Sequence, residues 1–189
     1  AGNRPPMEYL RELAEHYPDV PISMQLLDED LNTLLKSAHQ FANISSSIVI
    51  KVPMFKDGRG IIVSSALNKE GIKTNVTGLM NAEQLLMAIS TDPAPTYVSL
   101  FFNRIKDGGG DPITEIQNSR QLIDVLGSTS KIITGSIRQL PDVREALVTG
   151  SDIVTIPPKI FWEMVYHPQT EIFIERSQSD WKKFLDSKN

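Results

Sequence analysis

The sequence predicts an α/β fold on a parallel sheet, of the TIM-type (β/α)8 barrel kind, with its first two strands missing. Three observations point there. Short runs rich in Val and Ile alternate with amphipathic stretches along the whole chain. Those runs are apolar at consecutive positions, as in strands covered on both faces by helices. A doubly wound open sheet fits the same alternation, but no run is followed by GxGxxG or by GxxxxGK[ST]. "DGRGII" has two glycines at the wrong spacing, which weakens the open-sheet alternative. The 189 residues, 40% hydrophobic, suit one domain over 1–189.

The elements follow in order. Met7 to His16 reads as a helix, and Val20 to Leu27 as a strand. In "DEDLNTLLKSAHQFANI", Leu31, Leu34, Leu35, Ala38 and Ala42 recur at helical spacing. "IVIKVP" is a strand closed by Pro53, and "GIIVSSALNKEG" a helix with Gly71 just past its end. Ile72 to Thr77 is a strand. Asn81 caps the helix of "NAEQLLMAIST", with Gln84 three residues on. Thr96 to Phe102 is a strand, and the loop "DGGGDP" leads into the helix "TEIQNSRQLIDVLG". Lys131 to Ile137 is a strand. "LPDVREALVTG" has Pro141 at its start and Gly150 past its end. Asp152 to Pro158 is the last strand, and "KIFWEMVYH" and "EIFIERSQSDWKKFLD" are helices. That makes six strand–helix units in series. A barrel of this kind has eight, so two strands and a helix are expected before Ala1, where the chain begins in a loop.

Composition removes several functions. The net charge of −4 does not favour a nucleic-acid partner. Cysteine is absent, which excludes disulfide and thiol chemistry and fits a cytoplasmic location. No apolar run reaches the length of a membrane span. His16, His39 and His167 lie far apart and in no metal-ligand spacing, so neither metal nor cofactor is expected.

Polar residues recur at the C-terminal ends of the apolar runs: Gln25, Lys51, Thr74 with Asn75, Ser99, Ser136 and Thr155. In a parallel barrel those ends share one face, where active sites form. Lys51 stands out, because a lysine inside an apolar run is costly unless used. Burial lowers an amine's pKa, and the free amine attacks carbonyls to form a Schiff base. The alternative is a lysine that reaches past the strand end to solvent. Arg104 follows one strand end, and Ser136 and Arg138 the next; together they would suit a phosphate. The alternative there is ordinary surface arginine.

The stretches "IVIKVP", "EGIKTNVT", "AEQ", "YVSLFFNRI", "SIR", "DIVTIPP" and "HPQT…DWKKF" resemble the small transaldolases and fructose-6-phosphate aldolase, in that family's order, from about Pro21 to the end. The resemblance implies a TIM-type barrel and a metal-free lysine mechanism of carbohydrate metabolism, acting on sugar phosphates. A dihydroxyacetone unit is held on the lysine, then passed to an aldose phosphate by transaldolases or released by the aldolases. Lys51 matches the family's Schiff-base lysine, and Thr74 the threonine that helps hold the catalytic water. Arg104, Ser136 and Arg138 match phosphate-binding positions, and Ser99 lies near the ligand pocket. Gln25 falls where transaldolases carry glutamate and the aldolases glutamine. Phe101 falls where transaldolases carry phenylalanine and the aldolases tyrosine. The two positions point to opposite outcomes: transaldolase is the leading expectation and fructose-6-phosphate aldolase the alternative. The family's catalytic aspartate lies in its opening strands and matches no position here, so an inactive sugar-phosphate-binding barrel is a third reading. The resemblance also implies a ring-like homo-oligomer, a decamer in the family, with the helix at about 170–186 packed on a neighbouring subunit.

Overall fold

A computed structural model describes residues 5–28 and 30–188. Helix α1 (Pro6–His16) starts with proline in its first turn and buries Leu10 and Ala14, one turn apart. It leads to β1 (Ile22–Gln25). Asp30 caps α2 (Leu31–Ala42) by accepting the Thr33 N–H, and Leu34 and Ala38 form its buried stripe. β2 (Ile48–Pro53) and α3 (Arg59–Lys69) follow. Next come β3 (Thr74–Leu79), α4 (Ala82–Ile89) and β4 (Tyr97–Phe101). A short α5 (Phe102–Asp107) precedes α6 (Pro112–Leu126) and β5 (Lys131–Gly135). The chain ends in α7 (Leu140–Thr149), β6 (Ile153–Val154), α8 (Pro158–Val165) and α9 (Pro168–Asp186).

The six strands form one sheet in the order β1-β2-β3-β4-β5-β6, every pair parallel. A doubly wound sheet reverses its order at a switch point. This one does not, so successive right-handed crossovers put the helices on one side, as in a barrel. Among the described residues the sheet has six of the eight strands of a closed barrel, with β1 and β6 at its edges.

Two apolar clusters lie between sheet and helices. One joins Leu10, Leu34, Ile50, Val52 and Leu67; the other joins Val76, Leu85, Val98, Leu100, Phe102, Ile116 and Ile132. β2 and β3 bury residues on both faces. Edge strand β1 alternates half-buried and exposed positions instead. Among the described residues no helix is long and apolar enough to cross a membrane.

Several boundaries differ from the sequence expectation, each for a local reason. The third strand starts at Thr74, because the Ile72 N–H returns to Leu67 C=O and Gly71, at φ +78°, closes α3. The last strand shrinks to two residues, since Pro157 and Pro158 have no N–H to donate. Phe102, expected to end β4, opens α5 and is fully buried.

Candidate active site

A cavity of about 230 Å³ opens on the concave face toward the C-terminal ends of the strands. Ser23, Lys51, Asn75, Ser99, Phe101, Ser136 and Thr155 are among the residues that line it. Side chains alternate along a strand, so Ser23, Lys51, Asn75 and Ser99 share this face while their neighbours enter the apolar clusters.

Lys51 is half-buried near the end of β2. Burial lowers its pKa from the ordinary lysine value, and no carboxylate among the described residues opposes the shift. Its Nζ lies 5.7 Å from the centre of the Phe101 ring, and the Arg104 guanidinium carbon lies 5.4 Å from the same centre. Both cations therefore lie against the same ring. The register pairs Lys51 with Gln25 on one side and Asn75 on the other. Gln25 is exposed on the edge strand and shares the cavity face by its two-residue spacing from Ser23. The Ser99 hydroxyl donates to Asn75 Oδ1 at 2.8 Å, which leaves the amide's NH2 end for the cavity.

Thr74 does not line the cavity. Its hydroxyl donates to Asn68 Oδ1 at 2.7 Å and lies 2.8 Å from Ser64 Oγ, both on α3. It pins β3 to its covering helix, which corrects the expectation that it holds a water beside the lysine. Thr77 is the hydroxyl on the right face. It sits two residues past Asn75 and is paired in register with Ser99. Its Oγ1 is buried and has no hydrogen-bond partner among the described residues, and an unpartnered buried hydroxyl is costly unless a ligand or water meets it. The signal was present in "TNVT": two threonines three apart point to opposite faces, and only the second matches the parity of Asn75.

Ser136 reaches the cavity from the loop after β5, at φ +60°. No other non-glycine residue among those described has a positive φ. A backbone so strained for an L residue persists only where its surroundings hold it. Asn103 does so: its backbone N–H and its Nδ2 both donate to Ser136 C=O, the latter at 2.8 Å. The same Nδ2 donates to Asp142 Oδ2 at 2.6 Å, which also accepts the N–H groups of Arg138 and Gln139. Asp142 is fully buried at the start of α7. Burial pushes its pKa up, but the Asn103 amide and these N–H donors outweigh that and hold it below the usual carboxylate value. The loop carrying Ser136 and Arg138 is thus tied to α5, which carries Arg104. Arg138 and Arg104 both act on Asp107, whose carboxyl is lowered chiefly by its hydrogen bonds from Arg138.

Among the described residues no three or more His, Cys, Asp or Glu gather as a metal site. Fold and cavity together are those of a partial α/β barrel with polar groups and a lysine of lowered pKa at the C-terminal strand ends. A sequence profile for the family described as "Transaldolase/Fructose-6-phosphate aldolase" matches residues 7–188. Three relatives each bear the name probable transaldolase. That of Petrotoga mobilis is 36% identical over 179 residues, 95% of this chain and 79% of its own length. That of Caulobacter vibrioides is 33% identical over 180 residues, 95% and 81%. That of a Thermoanaerobacter species is 36% identical over 177 residues, 94% and 80%. The chain belongs to the transaldolase/fructose-6-phosphate aldolase family.

Proposed function

We propose that this protein is a transaldolase, which carries a dihydroxyacetone unit between sugar phosphates on the Lys51 amine. The observation that carries the reading is Lys51 itself: a half-buried amine with a lowered pKa, at a cavity of hydroxyls and amides, in a member of this family. The amine adds to the ketose carbonyl and water leaves, giving a protonated imine. The hydroxyl on the departing carbon gives its proton to the held water and becomes C=O as the C–C bond breaks, and that bond's electron pair moves into the iminium. An aldose phosphate departs and an enamine stays on Lys51. The enamine attacks the aldehyde of an acceptor, and water then hydrolyses the new iminium to free the product and the amine. Thr77, Gln25, Asn75 and Ser99 orient the water and the sugar hydroxyls, since hydroxyls and amides place protons without gaining charge. Phe101 closes one side of the cavity. Arg104, Ser136 and Arg138 hold the phosphate end. The reaction takes place in the cytoplasm, as the absence of cysteine fits.

Gln25 supports a second reading, an aldolase that splits fructose 6-phosphate and frees dihydroxyacetone. An amide beside Lys51 can orient a water where a carboxylate would also shuttle its proton. Acceptor dependence separates the two. A transaldolase turns over fructose 6-phosphate only when an erythrose 4-phosphate-type acceptor is present. Steady release of dihydroxyacetone without acceptor would transfer the label to the aldolase.

A further inference from the structure

Arg138 already holds an anion in this structure, and that anion is the protein's own. Its Nη1 donates to Asp107 Oδ1 at 2.8 Å and its Nη2 to Asp107 Oδ2 at 2.5 Å. This is the two-pronged grip by which a guanidinium takes a carboxylate or a phosphate. Asp107 closes α5, three residues after Arg104, and feels the charge of that second arginine as well. Both side chains are about half exposed, 52% for Arg138 and 54% for Asp107, so a solute reaches the pair. Among the described residues Arg138 is the one hydrogen-bond partner of the Asp107 carboxylate. Three glycines, Gly108 to Gly110, follow it, with Gly109 at φ +81°. Arg138, by contrast, stands on a loop fixed by the Asp142 and Asn103 contacts. Of the two partners, the carboxylate is the one placed to give way.

We propose that Asp107 is a resident anion of the phosphate site: it fills the donor face of Arg138 when substrate is absent, and a phosphoryl group binds there by displacing it. The inference rests on reading Arg104, Ser136 and Arg138 as phosphate ligands. An incoming phosphate must break the two bonds to Asp107 and then tolerate a displaced negative charge nearby. Both effects weaken phosphate binding. Asp107 therefore limits the affinity for phosphorylated sugars, which favours release of a phosphorylated product.

The test is calorimetric titration of inorganic phosphate, at low ionic strength, into the wild type, Asp107→Asn and Arg138→Gln. Arg138→Gln is expected to weaken phosphate by at least about fivefold. Asp107→Asn is expected to tighten it by about three- to tenfold, and Asp107→Ala to move it the same way. Both Asp107 variants should melt near the wild type, because an exposed pair contributes little to stability. A carboxylate that only braces Arg138 gives the opposite sign. If Asp107→Asn leaves phosphate unchanged or weaker while Arg138→Gln also weakens it, Arg138 binds phosphate and the resident-anion proposal alone falls. If phosphate binds equally well in Arg138→Gln, or binds to neither the wild type nor Asp107→Asn, the phosphate reading falls and takes the proposal with it.

Discussion

Among the described residues Lys51 has no ion-pair partner, and burial, which disfavours the cation, lowers its pKa. In the unfolded chain its pKa returns to the ordinary 10.5. Between the lowered value and that one, the unfolded state binds more protons. Stability therefore gains as pH rises through this window, and the penalty is present in full below the lowered pKa. The free amine appears over the same range, so Schiff-base formation is expected to rise with pH and level off before the ordinary lysine value is reached. A rate profile that keeps climbing through 10.5 would contradict a depressed amine. The two threonines of β3 give a paired expectation. Thr77→Val should lower kcat by about tenfold or more with little change in melting temperature, because its hydroxyl has no partner in the fold. Thr74→Val should do the reverse, costing about 1–2 kcal/mol of stability through its lost bonds to α3 while kcat stays close to the wild type.

Among the elements, the contact of β2 with α3 fixes where Lys51 ends up. A Cβ on Gly60 would stand 2.1 Å from Pro53 C=O, two residues after the lysine. Gly60→Ala is expected to push α3 off the strand end and cost about 2–3 kcal/mol, read as a lowered denaturant midpoint. On the other side of the site, Asp142→Ala would leave the Arg138 and Gln139 backbone N–H groups without an acceptor and the Asn103 amide with Ser136 C=O alone. That is expected to cost about 2–4 kcal/mol and to raise the KM for phosphorylated sugars, because the loop of Ser136 and Arg138 loosens. The Asp142 pKa is depressed in the fold, so its stabilisation is present above the unfolded value and is lost as pH falls through the folded one. Much of this layer was legible in the sequence. Val- and Ile-rich runs marked the strands, and Asn81 marked the start of α4, where its side chain accepts the Gln84 N–H. What escaped depends on partners distant in sequence. α5 looked like the end of a strand because Phe102 is apolar, yet it turns helical as Asn103 reaches Ser136, 33 residues on. The face of each threonine needed strand parity, and the Asp107 pairing with Arg138 links the end of α5 to a loop 31 residues on that composition does not connect to it.

At the scale of the whole molecule, apolar surface is left uncovered. α9 runs for 19 residues and buries none of them, and Ile172, Phe173, Ile174, Trp181, Phe184 and Leu185 are exposed along it. Trp162 and Met164 of α8 are exposed as well, and a groove of about 410 Å³ lies between α7 and α8, lined by Leu140, Val143, Leu147 and Met164. Patches of this kind mark protein interfaces, and we propose that other copies of the chain cover them in a homo-oligomer. Light scattering should give a multiple of 21.1 kDa, and Trp181→Asp combined with Phe173→Asp should shift it toward the monomer. A wild-type monomer at micromolar concentration would argue against this assembly. The proposed chemistry turns on the Lys51 amine carrying the substrate. The most direct test incubates the protein with fructose 6-phosphate, reduces it with borohydride and maps the modified peptide by mass spectrometry, beside Lys51→Met. A dihydroxyacetone-sized adduct is expected on Lys51 in the wild type and none in the variant. An adduct on another residue, or no adduct on a chain that still binds sugar phosphate, would contradict it and leave a binding barrel without the chemistry.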